Sequence, residues 1–242
     1  MTTMGGPGND LLTATEGSDA FDGGAGTDTV TFAGSIRGVV ANLATGEGRP
    51  LVSIMPVGDS ITYGVVDNTN TESGGYRTKL WTMFQTAGAS VDFVGSQASG
   101  PSALGDKDHA GFPGQTIDYI DSIDEALFAA NKPNFALVMI GTNDSASDTL
   151  AEMTDGLRAL ILSMAAASPS TTLLVASIPP TRSAARNDLV QAYNAAIPGI
   201  VAQLAGQGIK VDFVDMSALT IDDISSLAVD NGLHPTDAGY QK

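Results

Sequence analysis

Apolar positions follow two different rhythms along the chain, and the change falls near residue 50. Over residues 5–31 single apolar residues recur every nine positions, at Leu12, Phe21 and Val30, inside glycine- and aspartate-rich units that read GGPGNDLLT, ATEGSDAFD and GGAGTDTVT. Each unit turns at a Gly-x-Asp or its near equivalent and then places one apolar residue at its eighth position, as a short strand stacked on its neighbours requires. Residues 29–48 alternate in the manner of one or two further strands. From Leu51 the apolar residues come in short unbroken runs instead: LVSIMPV (51–57), SVDFVG (90–95), NFALVMIG (134–141), TLLVASI (172–178) and KVDFVDM (210–216). Such runs predict buried strands. Helical spacing predicts helices near 75–88, 115–131, 148–167 and 186–206, with a kink or break in the last at Pro198.

Strands that alternate with helices build a parallel sheet covered on both faces. The expected fold class is therefore α/β, a three-layer α/β/α sandwich on a five-stranded parallel sheet over residues 51–242. A small β-roll-like segment over residues 1–50 precedes it.

Composition changes this picture in a few respects. The chain has 242 residues, 43% apolar and 16% charged, enough for one medium domain and a smaller appendage. A formal charge of −16 repels phosphate backbones, which excludes nucleic acid as a natural partner. No basic-then-apolar leader is visible at Met1–Asp10, and the longest unbroken apolar stretch, Phe135–Ile140, is far too short to span a bilayer. With no cysteine, disulfides play no part.

The nine-residue units resemble the RTX nonapeptide, a calcium-binding β-helix repeat. Glycines permit its tight turns, and aspartates supply the hard oxygens that calcium prefers. With two units per turn, Asp10 and Asp28 fall eighteen residues apart on one side, where they would share an ion. Asp19 lies on the other side, and the position eighteen later is Arg37.

In an open α/β sheet, ligands bind beyond the carboxyl ends of the strands. Four polar blocks occupy such places: Val57-Gly58-Asp59-Ser60-Ile61-Thr62, His109-Ala110-Gly111-Phe112-Pro113-Gly114-Gln115-Thr116, Ile140-Gly141-Thr142-Asn143-Asp144, and Asp230-Asn231-Gly232-Leu233-His234-Pro235-Thr236-Asp237-Ala238-Gly239-Tyr240. In this order, together with Gly74-Gly75-Tyr76-Arg77, Val91-Asp92-Phe93-Val94-Gly95-Ser96 and Asp106-Lys107-Asp108-His109, they resemble the blocks of GDSL/SGNH hydrolases. The resemblance is nearest to carbohydrate esterase family 3, the acetylxylan-esterase-like branch, and covers residues 51–242.

That resemblance implies the flavodoxin-like SGNH fold and a role for each residue. Ser60 would be the nucleophile and His234 its general base. The backbone N–H groups of Ser60 and Gly114 and the side-chain amide of Asn143 would form the oxyanion hole. The third triad member stays open. Relatives space it Asp-x-x-His, but that position holds Asn231, and Asp230 lies one residue further away. Asp230 is favoured; Asn231 as an orienting amide, or a dyad leaning on a backbone carbonyl, are the alternatives. Asp59 and His109 are cleft candidates, although Asp59 better suits holding the Ser60 turn by hydrogen bonding, and His109 suits a solvent-facing loop equally well. Asp106, Asp108 and Asp144 read as loop carboxylates or a cation cluster, and Trp81 and Phe84 as core.

The expected function is hydrolysis of short acyl esters, acetyl groups on polysaccharide above all, with no cofactor for the chemistry and Ca2+ in the repeats. Competing readings keep the same site for a lipid ester or for acyl transfer, or make the chain a calcium-dependent extracellular binding module with a decayed hydrolase domain. RTX-like units imply secretion without a cleaved leader. A closing helix found in relatives is not in this chain, which fits a piece of a larger modular protein.

Overall fold

The computed structural model describes residues 2–15, 19–33, 39–42, 47–66 and 73–242. Contacts divide them into two compact units, residues 1–53 with 84–92 and residues 54–83 with 93–242.

In the smaller unit the strands are β1 (Thr2–Met4), β2 (Leu11–Thr13), β3 (Asp19–Asp22), β4 (Thr29–Thr31), β5 (Val39–Asn42) and β6 (Glu47–Pro50). β1 pairs in parallel with β3 and β2 with β4, in the registers Thr2↔Ala20 and Leu11↔Thr29. Both pairs are offset by eighteen residues, so two nine-residue units complete one turn. Thus Asp10 and Asp28 stack on one side, where the Asp10 N–H donates to Asp28 Oδ1 at 2.9 Å. Among the described residues between 2 and 33, Leu12 and Ala14 are covered, Met4 and Leu11 are exposed, and Phe21 meets Phe32 edge-on. Asp19 binds the Thr15 backbone and hydroxyl, while Arg37 lies outside the described residues.

The sheet of the larger unit grows from β7 (Val52–Gly58). The chain continues through the short α1 (Ser60–Tyr63), α2 (Tyr76–Thr86), β8 (Val91–Phe93), β9 (Gln97–Ala98), β10 (Asp108–Gly111), α3 (Ile117–Asn131), β11 (Phe135–Met139), α4 (Leu150–Ala167), β12 (Thr172–Ala176), α5 (Ala184–Gly206) and β13 (Val211–Val214). Strand order is β13-β12-β11-β7-β10-β9, with β8 paired to β7 off this path. The α/β class matches expectation and all five expected segments are strands of this sheet, but the strand count does not match. There are seven strands, and β9 runs antiparallel to β10. The two extra strands are too short and too polar for their periodicity to register in the sequence.

Side-chain alternation explains the layers. Ala136, Val138, Leu173, Val175 and Val211 point to one face and are buried in the core with Ile120, Leu157, Leu160, Ile197 and Val201 of α3, α4 and α5. The opposite face is covered less fully. There Leu137, Leu174 and Ala176 share with Tyr76, Leu80 and Met83 of α2 an apolar groove of about 230 Å³. The sandwich has unequal layers.

Helix starts are set by side chains, with Thr116 capping α3 and Thr149 forming a capping box with Glu152 on α4. α5 runs unbroken through Pro198, so of the kink or break expected there the break does not occur. A proline inside a helix costs about 3 kcal/mol. Val190, Tyr193, Ile197, Ile200, Val201 and Leu204 all bury on one stripe of this helix and offset that cost.

Candidate active site

The four polar blocks meet at the carboxyl ends of β7, β11 and their neighbours. Asp59 caps α1 by accepting the Ile61 N–H at 2.9 Å, and this turn presents Ser60 directly after β7. Gly58 is needed just before it, because a side chain there would overlap the Met139 carbonyl.

Ser60 Oγ lies 2.8 Å from His234 Nε2, although the two are 174 residues apart. On the other side of the ring, His234 Nδ1 is 2.5 Å from Asp230 Oδ1. The second oxygen of Asp230 accepts the backbone N–H groups of Leu233 and His234, both at 2.9 Å. The longer spacing is absorbed by Asn231 and Gly232, which both take left-handed conformations (φ 54° and 65°) and coil the extra residue out of the way. With Nδ1–H donated to the carboxylate, Nε2 is free to accept the serine proton. Ser60 and His234 keep 8% and 5% exposure, and Asp230 none, so solvent reaches only the reacting end of the array.

Gly114 has φ of +79°, which only glycine takes freely, and no heavy atom lies within 4 Å of where its Cβ would be. The backbone is thus open on that side. Asn143 gives one amide hydrogen to the Gln115 carbonyl at 2.8 Å, which ties its turn to the Gly114 loop and leaves the other hydrogen to point elsewhere.

Of the two cleft candidates, Asp59 holds the Ser60 turn, in keeping with its favoured reading, and His109 sits differently from expectation. His109 is 0% exposed: its Nδ1 accepts the Gly111 N–H at 2.9 Å, so Nε2 carries the hydrogen that faces Ser99 Oγ at 2.8 Å. Burial, with Arg77 adding to it, holds its pKa down at about 3. It is a neutral core residue. Asp59 is likewise buried, and its carboxylate serves the α1 turn rather than a cleft wall. Asp106 accepts the Phe93 and Asp108 N–H groups and Asp144 that of Ile117. No group of three or more acidic or histidine side chains suited to a metal occurs among the described residues. Trp81 packs edge-on against buried Phe93, in keeping with a core role.

Three arginines support the site; Arg77 stands in one of the sequence blocks but without a role, and Arg182 and Arg186 lie outside them. Arg77 is fully buried and donates to the carbonyls of Thr62, Tyr63, Ser99 and Lys107, which locks the end of α1. Arg182 donates to the Ile224 and Ser225 carbonyls behind the histidine loop, and Arg186 to the Thr142 carbonyl beside Asn143. Only Arg77 carried a signal, as a basic residue inside a motif block in a chain with 11 Lys+Arg.

The profile of the GDSL-like Lipase/Acylhydrolase family matches residues 57–242, and that of the RTX calcium-binding nonapeptide repeat matches residues 4–34. The chain is 29% identical over 218 residues to a multidomain esterase of Ruminococcus flavefaciens; the match covers 79% of this chain but only 27% of that relative's length. Among solved structures it is similar to a family 3 carbohydrate esterase of Clostridium thermocellum (38% identity, TM-score 0.67, covering 79% of this chain and 90% of that one). A family 3 carbohydrate esterase from Talaromyces cellulolyticus is similar at 29% identity and TM-score 0.66, covering 78% and 91%.

Proposed function

The chain belongs to the GDSL-like lipase/acylhydrolase family, and on that premise we propose that it is a serine carboxylic ester hydrolase acting on short acyl esters, above all acetyl groups carried by polysaccharide. The observation that carries the reading is the hydrogen-bonded line Ser60–His234–Asp230. In the proposed reaction His234 Nε2 takes the Ser60 proton as Oγ attacks the ester carbonyl. The tetrahedral intermediate places its negative oxygen before the N–H groups of Ser60 and Gly114 and the Asn143 amide. Protonated His234, held by Asp230, then gives its proton to the departing alcohol, and an acyl-serine remains. Water, deprotonated by the same imidazole, releases the acid and restores Ser60. Asparagine at position 231 plays no part in this scheme, because Asp230 supplies the charge that an imidazolium needs.

Sugar acetate as the substrate class is supported by the two family 3 carbohydrate esterases, which the chain matches across nine-tenths of their length. The N-terminal segment suits calcium: the turns 5–10 and 23–28 stack so tightly that a Cβ on Gly24 or Gly26 would strike the carbonyl of Gly6 or Gly8. Asp10, Asp28 and these carbonyls would hold the ion, which supplies charge neutralisation to the stack. Such repeats suit a protein that works outside the cell.

The test compares p-nitrophenyl acetate turnover by the parent chain and Ser60→Ala, then acetate release from acetylated xylan. Turnover of the small ester that vanishes with Ser60→Ala supports the esterase; equal rates for the two proteins remove it. Acetate release from xylan tests the substrate class separately.

A further inference from the structure

The three proposed oxyanion donors come from three separate stretches of chain, and all three are fastened to one buried pair of carboxyl groups. Asp59 Oδ1 holds the Ile61 N–H and with it the turn that carries the Ser60 N–H. Asp144 Oδ1 holds the Ile117 N–H at 3.0 Å, three residues beyond Gly114 and at the start of α3. Asn143 precedes Asp144 directly and is tied to Gln115. Arg186 grips this turn from outside, at the Thr142 carbonyl and at Ser145 Oγ.

What is left over at the centre is unusual. Asp59, Thr142 and Asp144 are 1%, 3% and 2% exposed, and Asp59 Oδ2, Asp144 Oδ2 and Thr142 Oγ1 are all buried without a hydrogen-bond partner. Buried polar atoms are normally paired, and two buried carboxylates cannot both ionise cheaply. A proton retained by the pair lowers the charge and provides a donor. Tyr76 and Tyr240 face Asp59, while Asp118, Asp148 and Tyr193 face Asp144. Burial pushes the tyrosines up, Tyr76 to about 12, so they stay neutral. Burial, reinforced by Asp144, pushes Asp59 up to about 7 against the pull of the Ile61 N–H; burial also raises Asp144.

Resting on the esterase reading above, we propose that Asp59 and Asp144 are positioning residues: a carboxyl pair that mounts all three oxyanion donors and retains a proton while the enzyme works. Loss of that proton places a second negative charge beneath a developing oxyanion and weakens its stabilisation. Turnover then falls on the alkaline side.

The experiment measures kcat and KM for p-nitrophenyl acetate between about pH 5 and 9, with the Ser60→Ala rate subtracted, in the parent and in Asp144→Asn, Asp144→Ala and Asp59→Asn. Asparagine keeps an acceptor for the backbone N–H and brings its own hydrogens, but it cannot ionise. Asp144→Ala is expected to lose about thirtyfold or more in kcat with little change in KM, and Asp144→Asn to recover most of that loss. The alkaline decline of the parent is expected to disappear in both asparagine variants. Equal losses for Asn and Ala, a change confined to KM, or an unaltered alkaline limb each overturn the proposal. Should the parent be no faster than Ser60→Ala, the esterase reading itself fails, and the pair is judged by unfolding. A carboxyl whose pKa is raised in the folded protein loses its stabilising contribution as pH rises from about 4 to 7. Asp59→Asn must therefore gain melting temperature relative to the parent over that range, and a flat difference overturns the retained proton.

Discussion

Asp230 and Asn231 pose the sharpest question at the scale of single residues, because a motif counted in residues points to one and the hydrogen bonds to the other. Asp230 makes three bonds to His234 and its neighbour Leu233, two from backbone N–H groups and one with the ring. Asn231 serves by its left-handed backbone. Asp230→Asn is therefore expected to lower kcat by about 10³–10⁴, since an amide cannot stabilise an imidazolium by charge. Asn231→Gly, which keeps the left-handed turn, is expected to stay within about twofold of the parent. Steady-state kinetics on p-nitrophenyl acetate decide it, and the reverse ranking would return the role to Asn231. The sequence could name Ser60, His234 and the polar blocks because their chemistry is local. It favoured Asp230 as the acid without excluding Asn231, since the geometry that decides depends on two positive φ angles. His109 was misjudged for a related reason: a histidine in a polar block says nothing about what folds over it. Its burial has a measurable consequence. A base held at about 3 when folded and near 6.5 when unfolded costs stability as pH falls through that interval. The cost is about 2 kcal/mol at pH 5. His109→Gln, which retains a donor toward Ser99, is expected to flatten the acid side of the melting-temperature profile; an unchanged slope would assign that slope to other groups.

Between elements, the site depends on how the loops at the sheet's carboxyl edge are braced, and the segment between β12 and α5 is the main brace. Arg182 donates through Nε and Nη2 to the Ile224 carbonyl at 3.0 and 2.9 Å, and its own N–H binds the Gly232 carbonyl at 2.9 Å. The stretch it holds is the one whose Ser225 N–H binds the His234 carbonyl at 2.9 Å. A Cβ on Gly232 would run into the Arg182 side chain. Replacing Arg182 by Met strips donors from buried carbonyls, a change that costs about 2–4 kcal/mol. Because the histidine loop is what it holds, kcat is expected to fall about tenfold or more. Arg182→Lys, which can reach only one carbonyl at a time, should recover part of the melting temperature and little of the turnover. A lysine variant that restores both fully would show that charge, rather than the forked geometry, is what matters. Nothing in the hydrophobic rhythm foretold this brace, just as nothing foretold β9, β10 or the passage of α5 through Pro198. Apolar periodicity reports which face of an element is buried. It says nothing of the polar side chains that tie loop to loop, and it cannot weigh the loss of one backbone hydrogen bond against six buried side chains on the same helix.

On the scale of the whole molecule, the two rhythms of the sequence correspond to two kinds of stability. The larger unit rests on a continuous apolar core, and its α/β class was legible because long apolar runs and helical stripes are strong signals. Among its described residues between 2 and 33, the smaller unit buries Leu12 and Ala14 of its larger apolar positions, while placing Asp10 and Asp28 side by side in a chain of net charge −16. Its eighteen-residue register was legible too, because the repeat is built into the residue count. A stack with so small a core and two adjacent carboxylates has most to gain from a divalent cation. At a calcium concentration about a hundredfold above Kd, the linkage is worth about 2.7 kcal/mol. For a small domain this moves a melting transition by on the order of 10 °C. Calorimetry is expected to show a transition that rises with calcium and falls with a chelator. Magnesium should act far less, since it demands a tighter octahedron and gives up its water reluctantly. Asp28→Ala should abolish the response, because it removes both a carboxylate oxygen and the acceptor of the Asp10 N–H. General screening of the −16 charge would instead raise the transition with sodium chloride as readily as with calcium, in parent and variant alike. That pattern would leave the Asp10–Asp28 pair without an ion.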